Sequence, residues 1–141
     1  MAQTETSWAI QNLAINFTKN MRFYLHAKIH KATVTEANVN YVGSITIDQA
    51  LARRIDLHEY ERVLVVSNTS GARLETYVIY GEQNSGVMCM NGAAAHLIHK
   101  GEEIIVMAFE LSKTPVTPRS ILVDKHNRFV KNLTEKPGHS S

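Results

Sequence analysis

From Met21 onward the hydrophobic residues recur with a period of two, in short runs broken by turn residues, and that spacing builds strands rather than amphipathic helices. Phe23, Leu25, Ala27 and Ile29 alternate with Arg22, Tyr24, His26, Lys28 and His30, and Val34 continues the series. Glu36-Ala37-Asn38 reads as a turn. Asn40 to Ile47 reads as a second extended piece interrupted by Gly43, and a glycine inside a strand pattern marks a bulge or a close backbone approach. Arg62–Ser67, Arg73–Tyr80, Val87–Met90 and Glu103–Glu110 are further strands, with turns at 68–71 and 81–86. Ser120–Val123 and Arg128–Val130 form a hairpin about residues 124–127. Only two segments read as helices: Gln49–Ile55, capped by Asp48, and Gly92–Lys100, ended by Gly101. Many short strands, two short helices and no βαβ alternation predict a mainly β protein, a small β-barrel.

A chain of 141 residues with 44% hydrophobic content suits one domain with a real core. The formal net charge of +2 is too balanced to imply nucleic acid or an anionic membrane as partner. The single cysteine, Cys89, excludes an internal disulfide and fits a reducing, cytoplasmic compartment. No apolar run approaches the ~20 residues of a membrane span. Residues 1–20 lack the basic start and continuous apolar stretch of a signal peptide; Trp8, Ile10, Leu13, Ile15 and Phe17 are scattered. The expected organisation is an extension over 1–20, packed on or loosely tethered to the domain, a β-barrel over 21–133, and a polar, disordered tail over 134–141.

Gly43-Ser44, in YVGSITID, carries the first chemistry. A serine hydroxyl can attack the carbonyl of the residue before it, and the ring that forms collapses to an ester. In water this shift is uphill, since an amide is more stable than an ester. A fold reverses the balance by straining the peptide and stabilising the oxyanion. Glycine suits the position, because without Cβ it tolerates unusual dihedrals and leaves its carbonyl open. Elimination from the ester then gives dehydroalanine, which hydrolyses to a pyruvoyl group and ammonia. Alone, Gly-Ser is also an ordinary turn or bulge.

Context separates the two. KIHKATVTEANVNYVGSITID, GARLETYVI and NGAAAH occur in that order. With these blocks the chain resembles the pyruvoyl-dependent aspartate 1-decarboxylases from about Met21 through Val130. The resemblance implies a double-psi β-barrel that assembles as a homotetramer, cuts itself between Gly43 and Ser44, and carries a pyruvoyl group derived from Ser44. The implied reaction converts L-aspartate to β-alanine and CO₂, supplying pantothenate synthesis. By the same resemblance Lys28 and Arg73 contact substrate, and Tyr77 donates a proton. Thr76 and Asn91 surround the processing site, Tyr41 and His30 line the pocket, and Gly92, Ala93 and Ala94 touch the ligand through their backbone. Departures are modest: Ile45 follows the serine where other members often carry cysteine, Ser67–Ser70 replaces an asparagine-rich turn, and Leu111–Arg119 is short and proline-rich. The extension over 1–20 could alter assembly or dependence on a maturation partner.

Each implied role has a physical basis and a plain alternative. Aspartate carries two carboxylates; Arg73 can hold one in a bidentate fork and Lys28 can act as a point charge, while both could be solvated surface cations. The pyruvoyl ketone condenses with an amine and accepts electrons as CO₂ leaves. Tyr77 is a suitable acid for the carbanion, or a strand aromatic with its hydroxyl at the surface. Thr76, its neighbour, should face the other way. Asn91–Ala95 opens a helix, whose free N–H groups and small side chains suit an anion or an oxyanion. Metal is not expected. His26 and His30 are four apart, but on a strand that is roughly 13 Å, and His96 and His99 lack a third ligand. Cys89 reads as a small buried residue. Three functions remain: an aspartate decarboxylase, an unprocessed barrel serving binding or assembly, and a pyruvoyl decarboxylase for another small acidic amino acid.

Overall fold

The computed structural model describes residues 2–141, with side chains described for 6–16 and 19–141. Nine strands form one mixed sheet: β1 (Arg22–Thr33), β2 (Glu36–Asn38), β3 (Ser44–Asp48), β4 (Arg62–Ser67), β5 (Arg73–Gly81), β6 (Met88–Asn91), β7 (Glu103–Ser112), β8 (Arg119–Val123) and β9 (Phe129–Leu133). Their order is β2-β6-β3-β5-β4-β7-β1-β8-β9. Pairs β1–β8, β2–β6 and β3–β5 are parallel and the rest antiparallel. Among the described residues no ladder joins β2 to β9, so closure into a barrel is not seen as strand pairing.

One core nevertheless takes side chains from most of the ladder: Ile29, Ile45, Ile47, Val65, Val78, Met90, Val106 and Ile121 are all buried together. A flat sheet cannot bring such separated strands to one core, so the sheet curls round it. Bonds outside the ladders fix the curl. Val34 N–H donates to the Glu102 carbonyl, Thr35 N–H to the Met88 carbonyl, and Gly101 N–H to the Val34 carbonyl. Buried Asn127 donates to the Thr33 and Gly86 carbonyls, 2.8 Å each, and accepts from Thr33 N–H.

β1 follows the expected alternation only from Ala27. Two bulges, at Leu25/Ala27 and Ile29/Ala32, shift its register against β7, and Lys31 takes φ 61° at the second. Phe23 consequently lies outside the core, 74% exposed. The short helix α2 (Gln49–Arg54) forms where expected. Its cap, Asp48, is buried and accepts from Ala50 and Asn84 N–H through Oδ1 and from Gly86 N–H through Oδ2. Asp48→Ala strands these amides, so unfolding in urea should show a loss of about 3–5 kcal/mol.

Four expectations need correction. Residues 36–38 are strand, not turn. The second helix is a five-residue 3₁₀ turn, Gly92–His96, capped at Leu97, and the chain beyond it buries Ile98. The extension is a helix, α1 (Ala2–Thr18), whose Trp8, Ile10 and Leu13 stay exposed; the side chain of Phe17 lies outside the described residues. The tail is not loose: Glu135 pairs with Lys28, Ser141 Oγ sits 2.9 Å from His30 Nε2, and Lys31 Nζ donates to the Ser141 carbonyl.

Candidate active site

Gly43 and Ser44 lie where β3 begins. The parallel pairing of β3 with β5 starts at Ile45 opposite Val78, so no strand covers the edge of β5 over Arg73–Tyr77 on that side. A recess of about 440 Å³ opens on this edge, lined by Gly43, Ser44, Leu74, Glu75, Thr76, Tyr77, Asn91, Ala93, Ala94 and Leu97. Being at an uncovered edge, it is reached from both faces of β5. That is why Thr76 and Tyr77 both line it, although strand neighbours alternate.

Ser44 is 3% exposed and pairs across the antiparallel ladder with Asn91. Asn91 Nδ2 donates to Ser44 Oγ at 2.8 Å and to Thr46 Oγ1 at 2.9 Å. Its Oδ1 accepts from the Cys89 thiol at 3.1 Å. Both ends of the amide are therefore used, in a buried network. Gly92 takes φ +69°, and a Cβ there would stand 2.7 Å from Gly43 Cα and 3.0 Å from both Gly43 N and the Tyr41 carbonyl oxygen. Gly92 thus serves by lacking a side chain, which lets its backbone press on Gly43. Tyr77, 36% exposed, packs its ring 6.4 Å from that of Tyr60.

Within one chain the other expected residues lie elsewhere. Arg73 is exposed at the start of the same strand, one residue before Leu74, and does not line the recess. Tyr41 is exposed, and its hydroxyl donates to Glu36 Oε1 at 2.9 Å. Lys28 and His30 belong to a second recess, under the tail with Glu135 and Ser141. The ladder steps Lys28↔Met107↔Leu64↔Glu75 separate them from the first recess, roughly 14 Å at about 4.8 Å per strand. Burial, then the Lys28 and Lys31 charges, hold His30 below the usual imidazole range. Sequence reasoning passed over Cys89 as packing; its signal was its place two residues before Asn91 on one strand face.

The fold and the site thus define a small, mainly β protein with a buried serine, hydrogen-bonded through its hydroxyl, behind a glycine at the rim of a recess. A family model described as aspartate decarboxylase matches residues 20–130. An aspartate 1-decarboxylase of Caldicellulosiruptor bescii is 50% identical over 120 residues, covering 82% of this chain and 93% of that protein. One of Clostridium botulinum is 52% identical over 105 residues, covering 74% and 76%. One of Listeria monocytogenes is 44% identical over 124 residues, covering 85% and 98%. The chain belongs to the aspartate decarboxylase family, a family of carboxy-lyases.

Proposed function

We propose that the chain cuts itself between Gly43 and Ser44, turns Ser44 into a pyruvoyl group, and then decarboxylates L-aspartate to β-alanine and CO₂. The observation that carries this reading is the buried Ser44 hydroxyl held by Asn91 beside a glycine that another glycine presses upon. In the cleavage, Ser44 Oγ bonds to the Gly43 carbonyl carbon, the Gly43–Ser44 C–N bond breaks, and the hydroxyl proton ends on the Ser44 nitrogen. Thr76 lines the same recess, and in this reading its hydroxyl donates to the Gly43 oxyanion. The site fits the group that results: it is small, lies at the recess wall, and keeps a side-chain donor at the serine. When formed, a pyruvoyl group supplies a ketone that condenses with an amine and withdraws electrons.

Chain residues do the rest. Ala93 and Ala94 leave room for ligand at the rim, and Tyr77 lines the same recess, where its hydroxyl delivers the proton to substrate Cα. Lys28, His30 and Arg73 do not meet this recess within one chain. The implied homotetramer resolves this if a neighbouring copy brings its cations across. The curled mixed sheet is, in this reading, the ladder of a double-psi β-barrel.

The test is the intact mass of purified protein together with CO₂ release. Two chains split after residue 43 are expected, the larger lighter by one ammonia than its serine-started form, with aspartate consumed in preference to glutamate. A single uncut chain after long incubation would count for an unprocessed binding barrel or for a missing maturation partner. A glutamate preference would reassign the substrate.

Lys28 brings one further expectation. Its partner Glu135 is an internal carboxylate standing where a substrate carboxylate would bind. Ending the chain at Leu133 should lower KM for aspartate by up to about five-fold with kcat unchanged, as suits a partly exposed ion pair. An unchanged KM would mean that the tail leaves Lys28 in the assembled enzyme.

A further inference from the structure

Ser44 and Thr46 leave the direction of the Asn91 amide undetermined. A hydroxyl can donate or accept, so both would tolerate either the oxygen or the nitrogen of that amide. Cys89 breaks the tie. Its Sγ lies 3.1 Å from Asn91 Oδ1, on the same face of β6, and a protonated thiol offers a hydrogen rather than a strong acceptor. Burial, and then the nearby Glu36 carboxylate, push the thiol up to about 11, so it keeps that hydrogen. Two other acceptors compete for that hydrogen: the Met90 carbonyl, farther off at 3.9 Å, and the carboxylate of Glu36, opposite Cys89 in the parallel β2–β6 ladder, whose Oε1 already accepts from Tyr41.

We propose that Cys89 is a positioning residue for self-cleavage: its thiol holds Asn91 Oδ1, so that Asn91 presents its NH₂ to Ser44 Oγ. This rests on the cleavage reading above. The direction matters most in the second step. After the acyl shift Oγ is the bridging ester oxygen. Elimination then removes the Cα proton to solvent, forms the Cα=Cβ bond and breaks Cβ–Oγ. Oγ departs with the electron pair as part of the new Gly43 carboxylate. Water afterwards hydrolyses the dehydroalanine and releases ammonia. A donor at Oγ stabilises the departing carboxylate, whereas an amide oxygen there would oppose it.

The experiment follows cleavage of wild type, Cys89→Ala and Cys89→Ser by intact mass at short times after synthesis, with and without hydroxylamine, which splits esters but not amides. Cys89→Ala should cleave about five-fold more slowly, the scale of one weak hydrogen bond. Its uncut fraction should be split by hydroxylamine after Gly43, leaving a chain that starts with intact serine. Cys89→Ser, which keeps a donor, should restore the rate. Wild-type speed in Cys89→Ala overturns the proposal. So does slowing without a hydroxylamine-sensitive fraction, or a Cys89→Ser variant as slow as Cys89→Ala, since loss of packing alone would do either. Wild type that never cuts counts against unassisted cleavage itself, a result distinct from all of these.

Discussion

Ser44→Ala is expected to remain one chain of 141 residues, with no carbonyl that traps an amine under borohydride and no CO₂ released from aspartate. The effect is all or none, because the hydroxyl is both the nucleophile and the oxygen later eliminated, and alanine supplies neither. The fold should survive. The substitution frees one hydrogen of the Asn91 amide, which still donates to Thr46, and leaving one buried donor without its partner costs about 1–2 kcal/mol. Circular dichroism and urea titration check that the variant is folded, and intact mass checks the cut. Cleavage of this variant at the same bond would sink the self-processing mechanism.

Gly92→Ala should have the next largest effect, for a different reason. The φ of +69° disfavours any residue with a Cβ, and the new methyl would stand 2.7 Å from Gly43 Cα. The three nearest atoms are all backbone, Gly43 Cα, Gly43 N and the Tyr41 carbonyl oxygen, so the Tyr41–Gly43 segment must shift. A loss of about 2–4 kcal/mol in stability is expected. Cleavage should slow about 100-fold, since misplacing a reacting group by an ångström costs that much. Gly71→Ala is the control: φ is +80° there too, but nothing lies within 4 Å of its Cβ. It should lose about 1 kcal/mol and cleave normally. Equal cleavage rates in the two variants would show that contact with Gly43 does not matter.

Most strands were legible because each buries one face, and burial writes a period of two into the sequence. β2 was not, since its three residues are turn-like in composition and are held as a strand by pairing with Cys89, Met90 and Asn91, 53 positions away in sequence but adjacent in space. α1 left no stripe because Trp8, Ile10 and Leu13 are buried against nothing that would align them. At the site, Gly43, Ser44, Thr76, Tyr77 and Asn91 were legible through family motifs, and the structure gathers them at one recess. Lys28, His30 and Arg73 were named by the same motifs without meeting it, because a motif records the residues and not the chain from which each arrives. The tail was misread because its contacts run to Lys28, His30 and Lys31, too distant for composition to register.

The sheet order has a last consequence for the matured protein. Residues 1–43 contribute β1, inserted between β7 and β8, and β2, at the opposite end of the ladder. The small fragment is thus woven into the large one at two remote places, and breaking the chain between them does not release it. Denaturation of the cut form, however, yields two separate polymers. Its melting midpoint should therefore rise more steeply with protein concentration than that of uncut Ser44→Ala, because each subunit of the cut form separates into two polymers instead of one. On the proposed cleavage, each subunit becomes two polypeptides that the original single chain had to thread before it was divided.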